Sequence, residues 1–191
     1  MRVWAGIDVG KRKKGFHCAL IDEMPCLMTP VCRDSSGVVE WLAKHRPRVV
    51  AIDSPRNLAP DGEPSRPCER EFIAAGICNI RYTPDRATIK ARQDDYYEWI
   101  EHGLELYEAL TGTWRVIECF PTASWTRWHG PRGTLTRAQW SRAALAGREL
   151  AGVPARMNQD ARDAIAAALT ARVHDRGETE EFGDLVVPLE A

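Results

Sequence analysis

The run Val49-Val50-Ala51-Ile52-Asp53 constrains the fold more than any other stretch of the chain. Its apolar residues follow one another with no polar alternation, and Val49, Val50 and Ile52 are β-branched. Such a run predicts a central strand buried on both faces, and strands of that kind belong to parallel arrangements with helices on each side. It ends in an acid, followed by the turn Ser54-Pro55-Arg56. The start of the chain has the same character. Val3-Trp4-Ala5-Gly6-Ile7-Asp8-Val9-Gly10 reads as a strand with Val3, Ala5, Ile7 and Val9 on one face at period two and Asp8 on the other, near the strand's end. A carboxylate there is costly unless it is solvated, hydrogen-bonded or holding a metal.

The elements between and after these strands set the architecture. Gly10-Lys11-Arg12-Lys13-Lys14-Gly15 is a basic turn that closes a hairpin with Phe16 to Ile21. A second turn, Asp22 to Pro25, leads to a third strand from Cys26 to Val31, which completes an antiparallel meander. Ser35 is the expected N-cap of a helix running to about Arg46, stopped by Pro47. After the fourth strand, 57–67 is rich in Pro, Gly, Asp and Ser and reads as an exposed loop. A short helix is expected over Cys68 to Ala75, an irregular or strand-like segment over Ile77 to Thr83, and a longer helix over Asp94 to Leu110, weakened by Gly103. Trp114 to Phe120 is the fifth strand. A short helical turn and loop over Thr122 to Pro131 and a helix from Thr136 to Leu150 precede the last helix, which is capped by Asn158 and runs to about His174. The charged tail from His174 to Glu181 is expected to be exposed, with Leu185 to Pro188 as a short edge strand.

A meander followed by α/β crossovers predicts an α/β fold: a five-stranded mixed sheet of order 3-2-1-4-5 with helices on both faces. The whole chain, 1–191, reads as one domain with a helical insertion at about 57–113 between strands four and five. Asp8 and Asp53 then end neighbouring parallel strands at the edge where such sheets place ligands, with Glu118 one strand further. Asp160 and Asp163 are three apart on the last helix and share a face with the small residues Ala164 and Ala167, which permit close approach to a sheet. Carboxylates gathered within about 4–6 Å repel and raise one another's pKa. A divalent cation removes that penalty, and an oxygen-only donor set suits Mg²⁺ or Mn²⁺. Two such ions about 4 Å apart can activate water and stabilise the leaving oxygen in phosphodiester hydrolysis.

Gly6-Ile7-Asp8, Val50-Ala51-Ile52-Asp53-Ser54-Pro55, Ile117-Glu118-Cys119-Phe120-Pro121 and Asp160-Ala161-Arg162-Asp163-Ala164, in that order, resemble the predicted RNase H-like nucleases grouped as domain of unknown function 429. The resemblance covers most of the chain. It implies the RNase H-like fold shared by RNase H, retroviral integrases and Holliday-junction resolvases. It also implies that Asp8, Asp53, Asp160 and Asp163 are metal ligands, with Glu118 as a further catalytic acid.

Simpler roles stand beside these. Asp53 is suited to an Asx-turn before Ser54-Pro55, and Asp160, in the first turn of its helix, is favoured by the helix dipole alone. Glu118 could pair with an arginine such as Arg127. For substrate binding the residues singled out are Lys11 and Lys13 in the basic turn, and Arg56, Arg66 and Arg70 beside the sheet edge, where a guanidinium can hold phosphate oxygens. The 26 basic and 27 acidic residues nearly cancel, which excludes a strongly basic whole-domain footprint for nucleic acid. The six cysteines form no C-x-x-C pair, so a zinc site is not expected. With no sustained apolar leader and no apolar run near ~20 residues, neither a signal peptide nor a membrane span is expected, and a reducing cytoplasm is the default.

The leading expectation is therefore a Mg²⁺- or Mn²⁺-dependent nuclease acting on DNA or RNA, with nucleic acid as partner and a homodimer as a compatible assembly. The alternatives are a non-catalytic nucleic-acid- or protein-binding module of the same fold and, third, an actin-like nucleotide-binding phosphotransferase, whose first strand carries a similar Gly-x-Asp-x-Gly.

Overall fold

A computed structural model describes residues 2–23, 26–28, 31–148 and 150–190. The meander forms as expected from β1 (Trp4–Val9), β2 (Phe16–Ile21) and β3 (Cys26–Met28). Met24 and Pro25 of the second turn, and Thr29 and Pro30 of the expected third strand, lie outside the described residues. Helix α1 (Ser35–His45) is capped by Asp34 rather than Ser35: the Asp34 carboxylate accepts from the Gly37 N–H at 2.9 Å. The chain continues through β4 (Val50–Asp53), α2 (Pro67–Ala74), α3 (Arg86–Ala91), α4 (Glu98–Leu110), β5 (Val116–Cys119), α5 (Pro121–His129), α6 (Arg137–Ala146), α7 (Gln159–Asp175), β6 (Thr179–Phe182) and β7 (Leu185–Pro188). Helix α6 ends at Ala146, short of the expected Leu150, and Glu149 lies outside the described residues.

Among the described residues the sheet has seven strands in the order β3-β2-β1-β4-β5-β7-β6. The expected 3-2-1-4-5 order is its first part. Strands β1, β4, β5 and β7 run parallel to one another, and β2, β3 and β6 supply the antiparallel margins. The tail expected to be exposed is instead partly strand. Thr179 to Phe182 forms a hairpin with Leu185 to Pro188 and takes the edge, so β7 is an interior strand with all four residues buried. The charges of Glu180 and Glu181 hid an edge strand, where charge is the usual protection against further pairing.

Period two along the strands divides the core. Ala5, Ile7, Val50 and Ile52 face Val38 and Leu42 of α1 and Leu106 and Leu110 of α4. Trp4, Ala51 and Ile117 face α5, α6 and α7. Segment 57–113 thus carries α4 onto the sheet, as well as α2 and α3. Gly103 serves that packing: a Cβ there would lie 1.9 Å from the Ser54 hydroxyl. No helix among the described residues is long and apolar enough to cross a membrane.

Helix α7 is buried almost all round, with every residue from Ala161 to Ala171 buried. Its alanines let it lie directly on β1. A Cβ on Gly6 would sit 2.1 Å from the Ala164 carbonyl oxygen and 2.1 Å from the Ala168 nitrogen. Both obstacles are backbone and cannot turn aside. Gly6→Ala is therefore expected to lower unfolding stability by about 3 kcal/mol, the upper end of overpacking costs. Urea denaturation measures this, and a loss below about 1 kcal/mol would show that the helix can back away.

Candidate functional site

The carboxyl ends of β1 and β4 bring two acids side by side. Asp8 and Asp53 are register partners in the parallel pair, both on the sheet face covered by α7. The Asp53 charge lies near enough to disfavour ionisation of Asp8. The first turn of α7 adds Asp160, and one turn further in comes Asp163, 2% exposed. Desolvation, then the charges of Asp53 and Asp163, hold the Asp8 carboxyl well above the usual range. Burial and the Asp163 charge push Asp53 up to about 8, against the opposing pull of Arg137. Asp163 is raised by burial, although Arg137 lowers it. Burial, joined at Asp8 and Asp53 by the neighbouring charges, thus disfavours the ionised form of these three acids.

Two cations and several donors already touch its rim. Lys14 Nζ lies 2.9 Å from Asp160 Oδ2. Asp163 accepts from Arg137 Nη2 at 2.8 Å, from Gln159 Nε2 at 2.9 Å and from Trp125 Nε1 at 3.2 Å. Trp125 is fully buried and orients this carboxylate. Across the hairpin, His17 is the antiparallel register partner of Asp8. Single ligand atoms of Asp8, His17 and Asp160 lie within 4.8 Å of one another. Sequence reading missed His17, Lys14 as the site's own lysine, and Arg137. Only the hairpin register could have pointed to His17, because counting outward from the Gly10–Gly15 turn pairs residue 17 with residue 8.

Glu118 does not join this group. It pairs with Ile52, not Asp53, and therefore points to the opposite face of the sheet. The residue of β5 on the acids' own face is Cys119, buried, whose thiol is raised well above its ordinary pKa by desolvation and by Asp53. Glu118 accepts two bonds from the Arg66 guanidinium, at 2.7 and 2.5 Å, and one from the Arg56 backbone N–H at 2.7 Å. Its partner is Arg66; Arg127 instead pairs with Glu180 and Glu190.

The proposed substrate-binding residues are dispersed. Arg66 is 4% exposed and its donors are spent on Glu69 and Glu118, so it offers nothing to a phosphate. Arg70 binds the Ser65 carbonyl and hydroxyl, Arg56 donates to the Val116 carbonyl at 3.3 Å, and Lys11 pairs with Asp95 at 2.7 Å. Lys13 is exposed at the hairpin tip. The acids Asp8, Asp53, Asp160 and Asp163 all offer carboxylate oxygens, the donors a hard divalent cation takes, and such an ion would favour the ionised form that burial disfavours at Asp8, Asp53 and Asp163.

No curated protein matches the chain. Among solved structures, RuvC of Thermus thermophilus in complex with a Holliday junction substrate is similar over 95% of this chain and 99% of that chain, at 17% identity and a TM-score of 0.54. A second structure of the Thermus thermophilus protein covers 98% of this chain and 99% of its own, at 17% identity and a TM-score of 0.48. The likeness to the complex shows the fold, which is RNase H-like. The profile of one family runs from Gly6 in β1 to Val186 in β7, matching residues 6–186, and the chain belongs to that family, described as "Protein of unknown function (DUF429)".

Proposed function

We propose that the protein is a divalent-metal-dependent nuclease that hydrolyses phosphodiester bonds of DNA or RNA. The observation that carries this reading is the register of Asp8 and Asp53 at the ends of two parallel strands, with α7 docked on Gly6 so that Asp160 and Asp163 reach the same place. Asp8, Asp53, Asp160 and Asp163 are the ligands in this reading. Mg²⁺ or Mn²⁺ bound there supplies Lewis acidity and lowers the pKa of water. The chain's own part is rigid placement. Strand pairing fixes Asp8 and Asp53, while Trp125 and Gln159 fix Asp163. Arg137, about half-exposed, has donors left to meet a phosphate oxygen beside Asp163. Glu118 acts from the far face, holding Arg66 and the turn after Asp53 in place.

Titration of Mn²⁺ into the wild type and Asp8→Asn by calorimetry, with a panel of single- and double-stranded DNA and RNA, tests the reading. Saturable binding and cleavage are expected in the wild type and neither in the variant. Cleavage that survives in Asp8→Asn would remove the assignment. A non-catalytic binding module is the second reading. It is favoured by one feature: Lys14 and Arg137 already partner the two acids of α7. That reading gains if Mn²⁺ fails to bind while nucleic acid still does.

A further inference from the structure

His17 lies close enough to Asp8 and Asp160 to be taken for a third metal ligand. Its hydrogen bonding argues otherwise. The Asn158 side-chain oxygen caps α7, accepting from the Ala161 N–H at 2.8 Å. That bond fixes the orientation of the amide and leaves its nitrogen facing His17 Nε2 at 3.3 Å. An amide nitrogen only donates, so Nε2 must accept, and in the neutral ring the proton then resides on Nδ1. Nδ1 is buried and has no hydrogen-bond partner among the described residues. It faces Asp160 Oδ2 at 4.0 Å, too far for a bond, and Lys14 Nζ already occupies that oxygen. The side chain is 13% exposed, and strand pairing with Asp8 holds its backbone. A fixed N–H donor without an acceptor among the described residues therefore lies beside the carboxylates. Buried donors are rarely left this way, and a catalytic or binding role is one of the few explanations for such a group.

We propose that His17 is a positioning residue whose Nδ1–H donates to a non-bridging phosphoryl oxygen of a phosphodiester bound at the carboxylate centre, and that it is not a ligand of the cation. The inference rests on the nuclease reading above and assigns the anion-recognising side of the same site. Three groups then frame the phosphoryl group: His17 from β2, Lys14 from the hairpin turn and Arg137 from α6. His17 differs from the other two because it adds no charge. It can discriminate by direction, favouring an oxygen placed on the line from Nδ1, where a lysine would accept any nearby anion.

Nitrogen-15 NMR of the imidazole rings in the full chain tests this, with His17 assigned by the signal missing in His17→Gln. In the free protein Nδ1 should be protonated and Nε2 not, and Mg²⁺ should leave that tautomer unchanged. Adding a thymidine dinucleotide with Ca²⁺ should move the Nδ1–H signal in the direction of a stronger hydrogen bond. His17→Phe should bind the dinucleotide about tenfold more weakly, as for loss of one hydrogen bond to a charged group, with unchanged Mg²⁺ affinity. His17→Gln, which keeps an N–H donor, should recover part of that loss. Loss of the Nδ1 proton on adding Mg²⁺ would make His17 a metal ligand and overturn the proposal. Equal dinucleotide binding by wild type and His17→Phe would also overturn it. Either result leaves the carboxylate reading standing. If Mg²⁺ shifts no side-chain signal of Asp8, Asp53, Asp160 or Asp163, the metal reading fails, and this inference fails with it.

Discussion

Asp53→Asn is expected to make the metal-free protein more stable at pH 8 and to abolish divalent-cation binding in the same step. Asp53 has a folded-state pKa of about 8, raised by burial and by Asp163, against about 3.9 in an unfolded chain. For a carboxyl with a raised folded pKa, the protonated form is the one the fold favours. Its contribution is fully present below about pH 4, where both states are protonated, and is lost as pH rises toward the folded value. In that window the fold must either retain a proton or bury another charge beside Asp8. The penalty accumulates to the order of a few kcal/mol by pH 8. Asparagine resembles the protonated acid and never ionises. Denaturation in a chelator should therefore give matching midpoints for wild type and variant near pH 4, and a more stable variant at pH 8. Mn²⁺ should then stabilise only the wild type. A variant that is less stable than wild type at pH 8 would show that the acids are not in conflict.

The second large effect is structural. Arg66→Ala should cost about 3–5 kcal/mol, because it leaves the Glu118 carboxylate buried without its cation. Glu118 is 2% exposed and Arg66 4%, so water cannot replace the lost partner cheaply. Glu69, also buried, keeps the Arg66 N–H and the Thr83 N–H and hydroxyl as donors, so the damage should centre on Glu118. Replacing both members, as Arg66→Met with Glu118→Leu, should restore much of the loss, since a buried pair exchanged for apolar side chains is often near neutral. Urea denaturation of wild type, Arg66→Met, Glu118→Leu and the double variant gives the coupling. A loss below about 1 kcal/mol for Arg66→Ala would mean the ion pair carries no weight.

What the sequence revealed depended on distance along the chain. The apolar runs ending in Asp8 and Asp53, and the three-residue spacing of Asp160 and Asp163, are local patterns, and strand pairing and helix geometry carried them to one place. Glu118 looked equivalent because it also lies near the end of an apolar run. Its face was set by register, which a single residue of offset reverses. Its partner Arg66 lies in a loop 52 residues away, where no spacing rule could indicate it. His17 was hidden for the same reason as Glu118, since it gained its position from cross-strand pairing. The strand Thr179–Phe182 was hidden by its charges. Gly103 counted against a helix on propensity, yet the helix needs it to reach Ser54.

The burial of α7 against β1 and β2 has a consequence for the timing of assembly. Asp8 and Asp53 leave the ribosome early, whereas Gln159–Asp175, the helix that covers them, follows more than a hundred residues later. Contacts of such long separation form late, because the loop between them must close first. A nascent chain holds half of the acids and none of the helix that joins them to the rest. The complete centre therefore arises only with the final packing step, so a chain still in synthesis carries an incomplete acidic cluster.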